Sequence, residues 1–299
     1  MLFIPVVSPL VVGVIRKIKA KMQNRNGASI LQPYRDVWKL FHKDEVISED
    51  ASWIFRVAPY LVFAVTLVVG ANIPIISTHF SNSILGDFLV IVYIMAIGTF
   101  FLALSGIDTG SAFGGFGSSR EMTVAALAEG GMIFSLFVLA LSAHTTNLFS
   151  IAQSVFTFPL LSFIPITLEF IGFVIALLAE NSRFPFDNPA THLELTMIHE
   201  AMILEYSGKR LALMEWAAAN KLLVFIVLGS NLFFPVGIAS AEGAGAVIIS
   251  LVILALKILF FCAFIAILES SIAKLRYFRL PDLLFTSFIL SVIAIGLII

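Results

Sequence analysis

Charge is what this chain has least of. Only 12% of its 299 residues are Asp, Glu, Lys or Arg, while 60% are hydrophobic. Soluble domains carry about 25% charged residues, so this chain cannot coat a water-facing surface. That excludes a soluble enzyme and a disordered protein. The charges that exist nearly cancel, 18 basic against 19 acidic, so there is no bulk attraction for a polyanion and no nucleic-acid partner is expected. Cysteine occurs once, at Cys262. An internal disulfide is therefore excluded, as is any self-contained iron–sulfur or zinc–thiolate centre. The histidines, at 42, 79, 144, 192 and 199, all avoid the middle of apolar runs. A haem held between intramembrane histidines is not expected on that ground. Any electron carriers must then belong to partner proteins.

What the chain has in quantity is long apolar runs, with a mean hydropathy of +1.03. A spanning helix needs about 20 such residues, and only helices of this kind close their own hydrogen bonds in lipid. Eight runs qualify as spans, at roughly 2–15, 57–77, 86–105, 121–143, 162–180, 219–238, 246–269 and 282–299. The expected fold is an all-α integral membrane bundle of eight transmembrane helices, one polytopic domain over 1–299. The first run is short, reaching about 21 Å of a core about 30 Å thick, which predicts a natural start upstream of Met1. Its basic residues follow the apolar stretch, the reverse of a signal peptide.

The basic residues orient the bundle. Segments 16–56, 181–221 and 270–281, together with Arg120, hold 17 of the 18. Loops 78–85, 144–161 and 239–245 hold none. The excess of Lys and Arg on cytoplasmic loops then predicts the long loops in the cytoplasm and both termini outside it, on the periplasmic side.

The loops differ in information content. In the first, Pro33 opens a helix whose Tyr34, Val37, Trp38 and Phe41 form one apolar stripe, which suits a lipid interface or a partner. Residues 106–121 read as a glycine-rich turn, with Ser118 and Glu121 as a capping box for the next span. Residues 181–218 exceed any ordinary connection. There Pro185 and Pro189 delay helix formation, and Thr191–Glu205 is amphipathic. His199-Glu200 begins like a zinc-protease motif, but Ile203 stands where its second histidine belongs. A metal held by His192, Glu194 and His199 is thereby disfavoured, and no metal site is expected.

Ionisable residues inside spans cost about 2.5–3.5 kcal/mol each and normally face a bundle interior. Glu129, Glu169 and Lys257 lie deep, and Glu180 and Glu269 stand at span ends. One reading is a single salt bridge, Lys257 with Glu129 or Glu169. It leaves one carboxylate over, which favours a second reading, an ion relay through Glu129, Glu169, Lys257, Glu180 and Glu269.

NRNGASILQPYRDVWKLF in the first loop, GSSREMTVAALAE at 117–129, and FPFDNPATHLEL with LEYSG across 184–208 together resemble a known family. It is the eight-span heel subunit of respiratory complex I (subunit 1/H) and its hydrogenase relatives, in particular the branch of hydrogenase-4 component C and formate hydrogenlyase subunit 4. The resemblance implies that the first and third loops cradle a peripheral redox arm, with Arg25, Gln32, Arg35, Asp36, Asp187, Glu194, Glu200 and Glu205 at or near its docking surface. It also places Glu129, nine residues after Arg120, in the family's acidic channel. This chain would bind no cofactor. Nickel–iron and iron–sulfur centres would sit on partners, the hydrogenase small and large subunits or their complex I equivalents, beside antiporter-like membrane subunits. Gly27-Ala28, where Gly-Pro is frequent, and Ala190 and His192, where the quinone-reducing branch has glutamates, favour the hydrogenase branch. The alternatives are the quinone-site subunit of an NADH:quinone oxidoreductase and a stand-alone secondary transporter. The absence of a visible inverted repeat counts against the latter.

Overall fold

The computed structural model describes residues 2–77, 84–155, 163–188, 197–239 and 244–298. Among them there are helices and no strands beyond two isolated bridges. The helices are α1 (Phe3–Met22), α2 (Gln32–Phe41), α3 (Trp53–Ala71), α4 (Phe88–Asp108), α5 (Ala112–Ala143) and α6 (Leu148–Ser154). They continue as α7 (Phe163–Glu180), α8 (His199–Ile203), α9 (Gly208–Phe233), α10 (Ala244–Ser271) and α11 (Leu280–Ile298). Six of them, α3, α4, α5, α9, α10 and α11, are long and apolar enough to cross a membrane. The chain is thus an all-helical, multi-pass membrane protein.

Two expectations change. The first helix does not stop with its apolar run. It continues through Arg16, Lys17, Lys19 and Lys21 to Met22, giving 20 residues and about 30 Å at 1.5 Å per residue. The glycine-rich segment is not a turn. Ser111 caps α5, accepting from the Gly114 amide at 3.1 Å, and Ser118 and Glu121 lie inside the helix, buried. In the third segment the described helices are α8 and the first turns of α9; residues 189–196, with Pro189, His192 and Glu194, lie outside the described residues.

Two glycines show why α5 starts early. A Cβ on Gly114 would collide with the Gly106 carbonyl, and one on Gly117 would stand 2.8 Å from both Ala201 Cβ and the Ile198 carbonyl oxygen. Glycine here admits close approach of α4 and α8 to α5, so its abundance marks tight packing.

The bundle's two ends differ. At one, Arg210 pairs with Glu45, the Ser207 hydroxyl and Val46 exchange hydrogen bonds of 2.9 and 3.0 Å, and Arg120 donates to the Met197 carbonyl at 3.2 Å. The Tyr206 hydroxyl donates to the Phe55 carbonyl at 3.0 Å, its ring stacked on Phe55. Residues from all four basic segments gather at this end. At the other, Thr146 donates to Asp87 at 2.5 Å, and Ser77 bridges Ala239.

Candidate functional site

At the basic end the helices leave a chamber of about 590 Å³, within the range of small-molecule sites. Its walls come from α1 to α5, α8, α9, the end of α10 and residues 180–188. The inner part is apolar, with Val65, Met95, Leu102 and Leu222. Elsewhere six carboxylates (Asp36, Glu121, Glu180, Glu200, Glu215 and Glu269) meet five basic groups (Arg16, Lys19, Arg25, Arg183 and Lys221), with His199 beside them.

Local structure sets these groups. Glu180 ends α7 and Lys221 lies mid-way along α9, so the crossing of the two helices brings Glu180 Oε2 to 2.8 Å from Lys221 Nζ. Lys221 also donates to Thr99 Oγ1 at 3.4 Å, tying α4 to the pair. Glu180 Oε1 and Asn181 Oδ1 are buried with no hydrogen-bond partner, so the pair keeps acceptor capacity. Glu121, 4% exposed, is within Coulombic reach of Lys221, Glu180 and Asp187. Glu129, two turns along α5, still feels Glu180 and Lys221.

A second knot closes the mouth. Glu269 takes Lys19 and Arg183, each at 3.1 Å, and Lys19 lies over the Phe184 ring. Asp187, 2% exposed, pairs with Lys274 at 2.5 Å and accepts from the amides of Ile198 and His199 at 3.2 and 3.1 Å. One carboxylate thus holds the entrance to α8 against the segment after α10. The chemistry of α8 follows. Burial drives the His199 imidazole down to about 4, so it is neutral near pH 7. Burial, with Glu215 and Asp187 nearby, pushes Glu200 up to about 7 despite Arg16. Glu200 can therefore gain or lose a proton at neutral pH.

The residues singled out from sequence fall into groups. Glu180 and Glu269 line the chamber and Glu129 stands near it. Glu169 is elsewhere, between α5, α7 and α11, accepting from Ser291 at 2.9 Å. Lys257 donates to Asn231 at 3.0 Å, and Asn231 in turn donates to the carbonyls of Pro74 and Ile75 beyond α3. Among the described residues no ion pair joins Lys257 to Glu129 or Glu169, so the single-bridge reading fails. Of the docking residues, Arg25, Arg35 and Glu205 are exposed, Gln32 donates to Asp36 at 2.8 Å, and Glu200 faces the chamber. Asp187 is internal, and Glu194 lies outside the described residues. Sequence reasoning missed Glu121, Lys221, Glu215 and Arg16 as chamber groups. The available signal was the pair of charges Glu215 and Lys221 on α9, at the edge of its long apolar run. Among the described residues no group of His, Cys, Asp and Glu is set to hold a metal.

Fold and chamber together define a polytopic helical membrane protein with a charged internal cavity at one end. The chain belongs to the NADH dehydrogenase family, whose pattern matches residues 1–299. It is 34% identical over 282 residues to formate hydrogenlyase subunit 4 of Escherichia coli (strain K12), covering 94% of this chain and 91% of that protein. It is also 34% identical over 290 residues to hydrogenase-4 component C of the same organism, covering 96% and 90%. Among solved structures, a chain of the membrane-bound sulfane sulfur reductase, an archaeal respiratory membrane complex, shares the fold. Its TM-score is 0.82 at 18% identity, over 98% of this chain and 96% of that one.

Proposed function

We propose that this chain is the membrane subunit of a group 4-type hydrogenase or formate hydrogenlyase complex. It anchors a peripheral redox arm and passes the energy of the redox reaction to ion movement. The observation that carries this reading is the convergence of the basic segments on one end of the bundle, around a chamber whose walls alternate acid and base. Such an end offers a docking platform outside and titratable groups within. The whole chain forms one domain. It spans the membrane eight times, α1 and α7 joining the six helices that are long and apolar enough to cross it, with both termini in the periplasm. The arm's small and large subunits carry the nickel–iron and iron–sulfur centres, and antiporter-like subunits lie alongside in a bacterial or archaeal cytoplasmic membrane. Arg25, Gln32, Arg35, Asp36, Glu194 and Glu205 face the arm, with Asp187 and Glu200 behind them. Glu180, Glu129 and Glu269 belong to the proton or conformational relay.

Mild-detergent purification tests this. Hydrogenase subunits should copurify, and E129Q in the assembled complex should weaken ion pumping more than turnover. Purification as an active single chain would overturn the reading, and unchanged coupling in E129Q would remove Glu129 from the relay.

The chamber itself favours a second reading. An apolar inner part behind a polar mouth suits an amphiphile such as a quinone, as in an NADH:quinone oxidoreductase. Copurification of NADH- and flavin-binding subunits, with chamber labelling by a photoreactive quinone, would favour it.

A further inference from the structure

Lys257 is the fourteenth of the 28 residues of α10, so it stands roughly 20 Å along the helix from either end. It is half-buried. One of its three N–H donors goes to Asn231 Oδ1 at 3.0 Å. Both N–H groups of Asn231 go to the carbonyls of Pro74 and Ile75, at 2.8 and 2.9 Å, which fixes the amide with its oxygen toward the lysine. That oxygen is neutral and balances no charge. Among the described residues no carboxylate pairs with Lys257 or lies within Coulombic reach of it. The nearest acids along the chain are Glu242, fifteen residues before it, and Glu269, twelve after. Glu269 is about 18 Å further along α10 and already holds Lys19 and Arg183.

The surroundings decide what completes it. Ile249, Val252, Leu256 and Phe260 recur at three- and four-residue spacing and are all exposed, so they form one apolar stripe along α10. Lys257 lies beside that stripe, between it and the buried Leu254, Ile258 and Phe261. The stripe alone would suit lipid, but an ammonium group there is costly. Lipid tails offer no acceptor, and phosphate head groups lie beyond the reach of a four-carbon stem placed midway along the helix. A water-filled passage needs further polar groups. Over residues 244–260 the one other polar side chain is Ser250, and it donates to the Ala246 carbonyl of its own helix. The complement of this face is therefore an apolar helix that carries a carboxylate at the same depth.

We propose that this face of α10 docks a transmembrane helix of a neighbouring membrane subunit, and that Lys257 pairs there with an Asp or Glu of that helix. The stripe supplies packing contact, and the ion pair sets the register, because a charge in an apolar interface tolerates few positions. The proposal rests on the reading of this chain as one subunit of a membrane complex. It names the face that holds a membrane neighbour and the chemistry of that neighbour. It gives Lys257 a role in assembly, separate from the relay near the chamber.

The test uses the assembled complex in its own membranes, with a benzophenone amino acid placed at Leu256 or at Phe260 and Lys257 left intact. Light should join both positions to one partner peptide, which mass spectrometry should identify as an apolar span containing Asp or Glu. K257M should cut retention of that partner in mild detergent roughly tenfold or more, and K257R should keep most of it. Reversing both charges, K257E with the partner's acid changed to Lys, should restore retention. Adducts with lipid alone, or with a span that has no acid, would overturn the proposal, as would full retention in K257M. The crosslink is read with Lys257 in place, so it decides the matter even if the K257M chain fails to fold. Copurification of the redox arm is scored separately. Loss of the arm with the α10 adduct present would count against the hydrogenase reading alone, and a retained arm without the adduct would count against this interface alone.

Discussion

At the scale of single residues, the neighbours His199 and Glu200 are displaced in opposite senses by the same burial, and that predicts a pH signature. His199 titrates at about 4 in the folded chain against an ordinary 6.5. Its contribution to stability is complete above about pH 6.5 and is lost as pH falls through 4. Glu200 titrates at about 7 against an ordinary 4.5. Its contribution is complete below about pH 4.5 and is lost as pH rises through 7. The charged groups around them are Asp187, Lys221 and Arg183 for His199, and Glu215, Asp187 and Arg16 for Glu200. In the native complex the two effects oppose each other through the acid range. E200Q should leave only the rising limb and H199Q only the falling one. Hydrogen-exchange protection over residues 197–206, corrected for intrinsic exchange, reads both limbs, and a flat profile in both variants would refute the assignment. Neither shift was visible in sequence. The pair was legible as titratable groups, but burial came from α4 and α5, which are distant in the chain.

At the scale of elements, the apolar runs told where helices lie because a membrane imposes a length and an oil-like composition on any span. Their ends were less legible. The start of α5 was hidden by Gly114, Gly115 and Gly117, which weaken a helix in isolation, while Gly114 and Gly117 here let Gly106 and Ala201 come close. Tertiary packing overrode local propensity. A single methyl group tests this. G117A places a Cβ 2.8 Å from the Ile198 carbonyl oxygen and from Ala201 Cβ, and because one contact is backbone, α8 must move away. Overpacking of this kind costs about 1–3 kcal/mol. The variant should speed exchange in residues 197–206 while leaving α9 and α10 unchanged, and weaken retention of the redox arm. G115A is the control, since a Cβ there meets nothing within 4 Å. Equal effects from both substitutions would mean that lost chain flexibility, and not the α5–α8 contact, is responsible.

At the scale of the whole molecule, the chamber could not be read from the sequence, since its walls draw on residues from Pro9 to Glu269 and no local spacing announces them. The asymmetry of charge could be read, because lysine and arginine placement answers to the membrane and not to packing partners. The structure joins the four basic segments through Arg210–Glu45, Lys274–Asp187, the Arg183–Glu269–Lys19 cluster and Arg120. They form one face, so all of them must share a compartment. That turns orientation into a measurement with a single reagent. The lone cysteine, Cys262, is 1% exposed, so a C262A background should be silent to a membrane-impermeant maleimide. Single cysteines then report each end. A28C and E205C occupy exposed positions at the basic end, and V236C is exposed at the other. In intact cells only V236C should react. In inverted vesicles A28C and E205C should react, more slowly while the redox arm is bound than after it is stripped. Reaction of A28C and V236C from the same side would contradict the bundle. Reaction of E205C in intact cells would instead invert it, putting the chamber mouth outside the cell, where no cytoplasmic redox arm could reach it.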